Sequence, residues 1–206
     1  VYIGTDADYF DEFASAEFSK PVEEFWVSYI GTLSYSYDIP TVIKAMALLF
    51  DKYPMIKFNV MGNGPFESAF KKEADSVKAN IEFLGYLPHS EMYPILKNSD
   101  IAMNAIVGTA QQSITIKMGD YLCAGLAVFN SCLNKEIISI VNEENIGFNY
   151  MPGDYRKLAE YIEYLYKNRE ECTLKGQNSR KLANEKFDRK KSYKKIYDMI
   201  DRLLVG

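Results

Sequence analysis

Short apolar segments alternate with longer amphipathic segments from residue 25 onward, and this alternation limits the fold more than any other feature of the chain. The apolar segments are residues 25–31, 55–62, 81–85, 100–106, 126–130 and 146–150. Apolar residues recur at helical spacing in residues 39–53, 65–77, 89–99, 114–124, 135–144, 154–168, 170–184 and 189–204. Short, continuously apolar strands are typical of a parallel sheet covered by helices on both faces. Because such crossovers are right-handed, we predict an α/β fold with a doubly wound, Rossmann-like parallel sheet.

Three parts of the chain differ in pattern and charge. Residues 1–24 do not follow the alternation and are predicted to be an irregular connector, residues 25–168 the sheet domain, and residues 169–206 helices that pack back toward the connector. Seven acids lie within residues 6–24, whereas residues 172–206 carry ten Lys or Arg and four acids. We therefore expect the two ends to attract each other, and because exposed ion pairs contribute only about 0–1 kcal/mol, we expect positioning more than stability.

The composition fits an ordinary globular protein, with 48% hydrophobic residues and a net charge of −4. No apolar run approaches the roughly 18 residues of a membrane span, and no charged-then-apolar leader begins the chain. The cysteines (Cys123, Cys132 and Cys172) show neither metal nor redox spacing, so a reducing, cytoplasmic setting is expected. The chain starts at Val1 without an initiator Met, which suggests a piece of a longer protein.

Several functional classes are not expected. The basic C-terminal segment lacks the aromatic-interleaved motif of an RNA-binding module, so no nucleic-acid partner is predicted. His89 is the only histidine and is interpreted as the start of a helix, because no serine or cysteine partner suggests a catalytic triad. No Asp-x-Asp follows a strand, so no metal site is predicted.

The binding edge of such a sheet can be located from the loops. Ligands of doubly wound folds bind outside the carboxyl ends of the strands, where the strand order reverses. The loops at these ends are residues 31–37, 62–65, 85–89, 105–113 and 130–134. The loop over 107–113 leads into a helix start that carries Lys117 and Asp120. Because a helix N-terminus offers N–H groups and a positive dipole end, we predict that a phosphate binds there beside Lys117.

Several phrases of the sequence resemble a known family. They are "YIGTLSYSYDIPTVIKAMALL", "IKFNVMGNGP", "IEFLGYLPHSEMYPIL", "NSDIAMNA" and "SITIKMGDYLCAGLAVFNS". In this order they resemble the C-terminal, donor-binding domain of GT-B-fold retaining glycosyltransferases of family 4 (glycosyl transferases group 1). The opening "VYIGTDADYF" resembles the connector of that family. The resemblance covers nearly all of this chain but about half of such an enzyme.

The resemblance implies an activity and a setting. The full enzyme would move a sugar from a nucleoside diphosphate donor, UDP- or GDP-linked, to a glycan or lipid-linked acceptor, without a metal or other cofactor. The catalytic residues would belong to a missing N-terminal domain, so this chain alone would bind the donor without turnover. The usual role of the family suggests bacterial surface polysaccharide assembly. The enzyme would act in the cytoplasm or in peripheral association with the inner face of the plasma membrane.

The resemblance also implies the donor contacts. Tyr86 and Leu87 would meet the nucleobase through backbone groups. The two acids of the family's Glu-x7-Glu signature fall on Gln112 and Asp120, and Asp120 would hold the ribose. The phrase "TIKMGDY" matches a family variant that places Lys117 on the diphosphate. The remaining predicted donor contacts are Thr32, Ser34, Tyr35, Ser113, Ile114 and Ile116.

Departures from the family pattern leave alternatives open. The usual arginine is replaced by Thr32, the usual lysine falls in Ser36-Tyr37-Asp38, and the first acid is Gln112, which can hydrogen-bond but carries no charge. The loop tyrosines Tyr35 and Tyr37 could stack on the ligand or only pack. A degenerate domain that serves as an interaction module or partner subunit is therefore the alternative function. A sugar epimerase of similar build would need more histidines and an arginine on the phosphate edge.

Overall fold

The sheet of the computed structural model, which describes residues 2–110 and 114–205, is parallel throughout. Within these residues six strands follow the order β3-β2-β1-β4-β5-β6. Their bounds are β1 Phe25–Ile30, β2 Ile56–Met61, β3 Ile81–Gly85, β4 Ile101–Asn104, β5 Ala127–Asn130 and β6 Gly147–Asn149. The predicted doubly wound α/β fold is confirmed, and the strand order reverses between β1 and β4.

Helices cover both faces of this sheet. Their bounds are α1 Ala7–Ala14, α2 Ile39–Phe50, α3 Glu67–Asp75, α4 His89–Lys97, α5 Ile116–Ala124, α6 Lys135–Glu143, α7 Tyr155–Lys167, α8 Arg169–Leu182 and α9 Arg189–Val205, with a π-helix over Ala183–Phe187. One buried cluster joins α2 and α7 to one face of the strands. The other joins α1, α4, α5 and the π-helix to the opposite face. Alternate strand residues such as Tyr29 and Ile30 enter different clusters, as the period of a strand requires.

Several predicted boundaries differ from the structure, and the connector and the start of α5 differ in ways that bear on the site. The connector contains helix α1, where the sequence predicted irregular structure; Asp6 caps it by accepting from the N–H groups of Asp8 and Tyr9, and Phe10 is buried against Tyr93. Helix α5 starts at Ile116 instead of residue 114, because Thr115 is extended with φ −83° and ψ 154°. Lys117 therefore lies in the first turn of α5.

The attraction between the two ends of the chain is confirmed. Arg180 donates to both carboxylate oxygens of Asp11, and Lys190 lies 2.6 Å from Asp8 Oδ2 and 3.3 Å from Asp6 Oδ1. Backbone hydrogen bonds join the same segments, because the Thr5 N–H donates to the Phe187 carbonyl at 3.0 Å. The connector is thus held along the C-terminal helices.

Candidate functional site

Two loops meet at the point where the strand order reverses. Residues 31–38 follow β1, and residues 105–110 follow β4. The Asp38 N–H donates to the Ala105 carbonyl and the Val107 N–H to the Ser36 carbonyl, each at 3.1 Å, and Tyr37 forms an isolated bridge with Ile106. The two loops therefore form one connected wall at the carboxyl edge of the sheet, where ligands of this fold class bind.

Glycines let a third loop approach this wall closely. A Cβ on Gly62 would lie 1.9 Å from the Gly31 carbonyl oxygen, and a Cβ on Gly64 would lie 2.4 Å from that of Leu33. The sequence interpretation of residues 62–65 as turn chemistry was incomplete, because the glycines also permit backbone contact between the loops after β1 and β2. Side chains larger than hydrogen do not fit at this contact.

A cavity of about 290 Å³ opens beside these glycines. Its lining residues are Gly31, Thr32, Met61, Gly62, Asn63, Tyr86, Leu87, His89 and Met92. The predicted donor contacts Thr32, Tyr86 and Leu87 therefore meet in one place. Tyr86 is 74% exposed, so its ring is accessible to a ligand at the mouth of the cavity.

The ammonium of Lys117 lies close to Gly31, one of the residues that line this cavity. Lys117 Nζ donates to the Tyr29 hydroxyl at 3.2 Å and lies over the Tyr29 and Tyr37 rings, 4.4 Å and 3.7 Å from their centroids. A Cβ on Gly31 would be 3.0 Å from Nζ. Among the described residues no carboxylate lies within 4.0 Å of this nitrogen. Burial lowers the pKa of Lys117 to about 7.

The start of α5 has few internal partners. Thr115 makes no side-chain cap to the first turn, and its buried hydroxyl has no hydrogen-bond partner within the described residues. Ile114 is half-buried and Ile116 is 58% exposed. Gln112 and Ser113, both predicted donor contacts, lie outside the described residues. The uncapped N–H groups beside Lys117 fit the predicted anion site.

Asp120 is buried one turn further along α5. Its Oδ1 accepts from the Thr5 hydroxyl at 2.7 Å and from the Tyr93 hydroxyl at 3.3 Å. Oδ2 makes no hydrogen bond to the residues that the structure describes. Burial raises the pKa of Asp120, although the bonds from Thr5 and Tyr93 oppose this. One carboxylate oxygen of Asp120 therefore anchors the connector through Thr5.

The remaining predicted contacts lie in the loop after β1. The Ser34 carbonyl accepts from the Tyr37 N–H at 3.1 Å, so Ser34 begins a turn. Tyr35 is 74% exposed. Tyr37 instead packs edge-to-face on Tyr29 with ring centroids 5.7 Å apart. Of the two roles considered for Tyr37, ligand stacking and packing, the structure shows packing against Tyr29.

Sequence reasoning missed two contributors to the site. Tyr29 was interpreted only as a strand residue, yet its hydroxyl bonds Lys117 and donates to the Thr32 carbonyl at 2.9 Å. His89 does begin α4, as predicted, and it also lines the cavity and stacks on Tyr93 at 4.7 Å. The position of Tyr29 two residues before a loop glycine was the only available signal.

Two features are absent from the part of the chain that the structure describes. Within residues 2–110 and 114–205, no helix has the length and apolar character needed to cross a membrane. No group of three or more His, Cys, Asp or Glu side chains in the same residues is arranged to hold a metal ion.

The chain belongs to the family Glycosyl transferases group 1, whose sequence model matches residues 10–182. A curated relative is EpsD of Bacillus subtilis (strain 168), which is named as a candidate glycosyltransferase. It is 25% identical over 164 residues, covering 78% of this chain and 41% of EpsD. The chain therefore spans about two fifths of that relative.

Solved structures show the same fold. HepE of Anabaena, in complex with UDP-glucose, superposes with a TM-score of 0.76 at 17% identity, covering 98% of this chain and 57% of HepE. The C-terminal domain of the group 1 glycosyl transferase LpcC from Francisella tularensis superposes with a TM-score of 0.69 at 16% identity, covering 89% of this chain and 98% of that domain. The chain is thus similar to about half of HepE and to a whole C-terminal domain of LpcC.

Proposed function

We propose that this chain is the donor-binding half of a retaining glycosyltransferase of family 4. The full enzyme would transfer a sugar from a nucleoside diphosphate donor to a glycan or lipid-linked acceptor. One observation carries the proposal: an ammonium, an uncapped helix start and a cavity meet at the carboxyl edge of a group 1 fold. The similarity to HepE, solved with UDP-glucose, supports a UDP-linked donor, with GDP as the alternative base.

Each part of the donor has a place in this arrangement. The nucleobase would lie in the cavity at Tyr86 and Leu87. The ribose would reach Oδ2 of Asp120, and the diphosphate would lie between Gly31 and the start of α5, next to Lys117. Ser34, Tyr35, Gln112 and Ser113 would complete the donor contacts from the neighbouring loops.

The chemical contribution of this half is electrostatic. When the sugar leaves, charge grows on the diphosphate, and the N–H groups of α5 together with Lys117 would stabilise it. Donors that are fixed before the reaction are effective because they need no reorganisation. This role requires no metal, which agrees with the metal-independent reaction proposed for the family.

The rest of the enzyme is proposed from the same resemblance. Residues 1–24 would be the connector, 25–168 the donor domain, and 169–206 helices that also contact an N-terminal acceptor domain carrying the catalytic residues. This chain alone would bind the donor without transferring its sugar. We place the full enzyme in the cytoplasm at the inner face of the plasma membrane, in bacterial surface polysaccharide assembly.

Calorimetric titration with UDP, GDP, ADP and CMP tests donor binding. We expect saturable binding of one diphosphate, weakened by Lys117→Ala and by Asp120→Ala. Lys78→Ala is the matched control, because Lys78 pairs with Asp51 on the surface. Lys78→Ala should bind the nucleotide with the same affinity as the wild type. If the folded chain binds none of these nucleotides, the donor-binding proposal is wrong.

The second candidate is a degenerate domain that acts as an interaction module. It is favoured by the bond between Asp120 and Thr5, which ties a ligand-type acid to the connector, and by Thr32 at the usual arginine position. In that case no nucleotide would bind to the wild type, and Thr5→Val would only disturb the connector.

A further inference from the structure

The ammonium of Lys117 is unusual because only neutral groups of the described residues contact it. Its partners among the described residues are the Tyr29 hydroxyl at 3.2 Å and the Tyr29 and Tyr37 rings. Other lysines of the chain, such as Lys78 and Lys190, have carboxylates within 2.6 Å. Lys117 is therefore held by neutral groups in a half-buried place.

The titratable groups on every side of this lysine can be named. Tyr29 faces it from β1 and Tyr37 from the loop after β1. Asp120 lies on the next turn of α5, where it bonds Thr5 and Tyr93, and His89 of α4 lines the cavity beside Gly31. None of these groups supplies a negative charge in contact with Nζ, so desolvation of the ammonium is not offset by an ion pair.

We infer that Tyr29 and Tyr37 position the Lys117 amine out of reach of any carboxylate of the described residues, where it is largely neutral, and that it takes up a proton from solvent when the donor diphosphate binds. The inference rests on the proposed function, because it names the residues that prepare the same diphosphate site. Tyr29 and Tyr37 are positioning residues: they act through Lys117 and need not touch the donor.

The direction of the pH effect follows from the geometry and from the lowered pKa. Burial lowers the pKa of Lys117 to about 7, so the amine is largely neutral above that pH. A diphosphate beside it favours the charged form, and the pKa rises in the complex. Between the two pKa values binding takes up a proton, and over that range affinity falls by up to about tenfold for each pH unit.

Calorimetry with UDP-glucose in two buffers of different ionisation enthalpy measures this proton. UDP-glucose is chosen because both of its phosphates are esterified and remain fully ionised in this range. We expect uptake of nearly one proton at about pH 8, retained in His89→Gln and lost in Lys117→Met. Binding without proton uptake overturns the inference and leaves the proposed function standing, whereas the absence of any nucleotide binding overturns the proposed function.

A second measurement needs no donor. Competitive acetylation followed by mass spectrometry gives the pH at which each lysine becomes reactive. We expect Lys117 to react with a midpoint near 7, as its lowered pKa requires, and Tyr29→Phe to move this midpoint downward, because the hydroxyl that accepts from the ammonium is lost.

An internal control is available in the same sample. Lys157 lies over the ring of Tyr161 at 4.9 Å but is exposed and pairs with Glu160. Tyr161→Phe should leave the midpoint of Lys117 unchanged. If Lys117 and Lys157 titrate together at an ordinary lysine pH, the amine of Lys117 is not held neutral by its surroundings and the inference is wrong.

Discussion

Gly31, in the loop after β1, lies next to the side-chain nitrogen of Lys117. Its φ of +129° disfavours any other residue, and an added Cβ would lie 3.0 Å from Lys117 Nζ. We expect Gly31→Ala to lower the free energy of unfolding by about 1 kcal/mol or more and to weaken nucleotide binding, because the ammonium must move. Urea unfolding and calorimetry measure the two effects.

The matched control for this glycine is Gly153, which also has a positive φ (+83°) but no atom within 4 Å of an added Cβ. Gly153→Ala should lower stability through backbone strain alone and leave nucleotide affinity unchanged. Equal affinity losses in both variants would contradict the role assigned to Gly31.

Because Asp120 is buried, we expect the free energy of unfolding to depend on pH. Burial raises its pKa above the ordinary 3.8, so the folded state holds the proton more tightly than the unfolded chain. The contribution of this group to stability is therefore fully present below the ordinary value and is lost as the pH rises through the raised pKa. Asp120→Asn keeps an oxygen that accepts from Thr5 and Tyr93, and it removes this loss.

Urea unfolding between about pH 4 and about pH 7 tests this effect. As the pH rises, the free energy of unfolding of Asp120→Asn should increase relative to that of the wild type. Asp51→Asn, on the exposed surface, is the control and should show no such gain. A constant difference between Asp120→Asn and wild type would mean that Asp120 is not protonated more readily in the folded state.

At the scale of elements, the interactions between α1 and the C-terminal helices differ in how much they contribute to the free energy of unfolding. Arg180 donates to Asp11 and, at 2.7 Å, to the Cys123 carbonyl at the end of α5. Lys190 makes only exposed pairs with Asp6 and Asp8. We expect Arg180→Ala to cost about 1–2 kcal/mol of unfolding free energy and Lys190→Ala less than about 0.5 kcal/mol. Chemical denaturation measures both, and equal losses would contradict the difference in burial.

At the scale of the whole molecule, the C-terminal part of α9 is largely exposed. Met199, Leu203 and Leu204 are 62%, 78% and 79% exposed, although they share the apolar face of the helix. We expect removal of residues 196–206 to change the free energy of unfolding by less than about 1 kcal/mol, since exposed side chains contribute little to folding.

A longer truncation is the control for this prediction. Removal of residues 189–206 also deletes the buried Ser192 and the bond from Arg189 Nε to the Gly4 carbonyl at 3.1 Å. This variant should lose measurably more stability than the shorter truncation. If the shorter truncation already unfolds the chain, α9 is an integral part of the domain.

Local patterns in the sequence were enough to predict the architecture and to propose the carboxyl edge of the sheet as the candidate site. Strand and helix periods are local properties, so the order of elements and the binding edge could be derived from residues a few positions apart. The same local reasoning placed Lys117 and Asp120 at the start of one helix. It missed α1, because an eight-residue helix is marginal in isolation and depends on the packing of Phe10 against Tyr93.

Only the tertiary structure decided what surrounds each site residue. The partner of Asp120 is Thr5, which is 115 positions away, and the partner of Lys117 is Tyr29, 88 positions away. No local pattern encodes such contacts, because they form when segments distant in the chain pack together. Burial, and with it the lowered pKa of Lys117, follows from that packing and not from the identity of the residue.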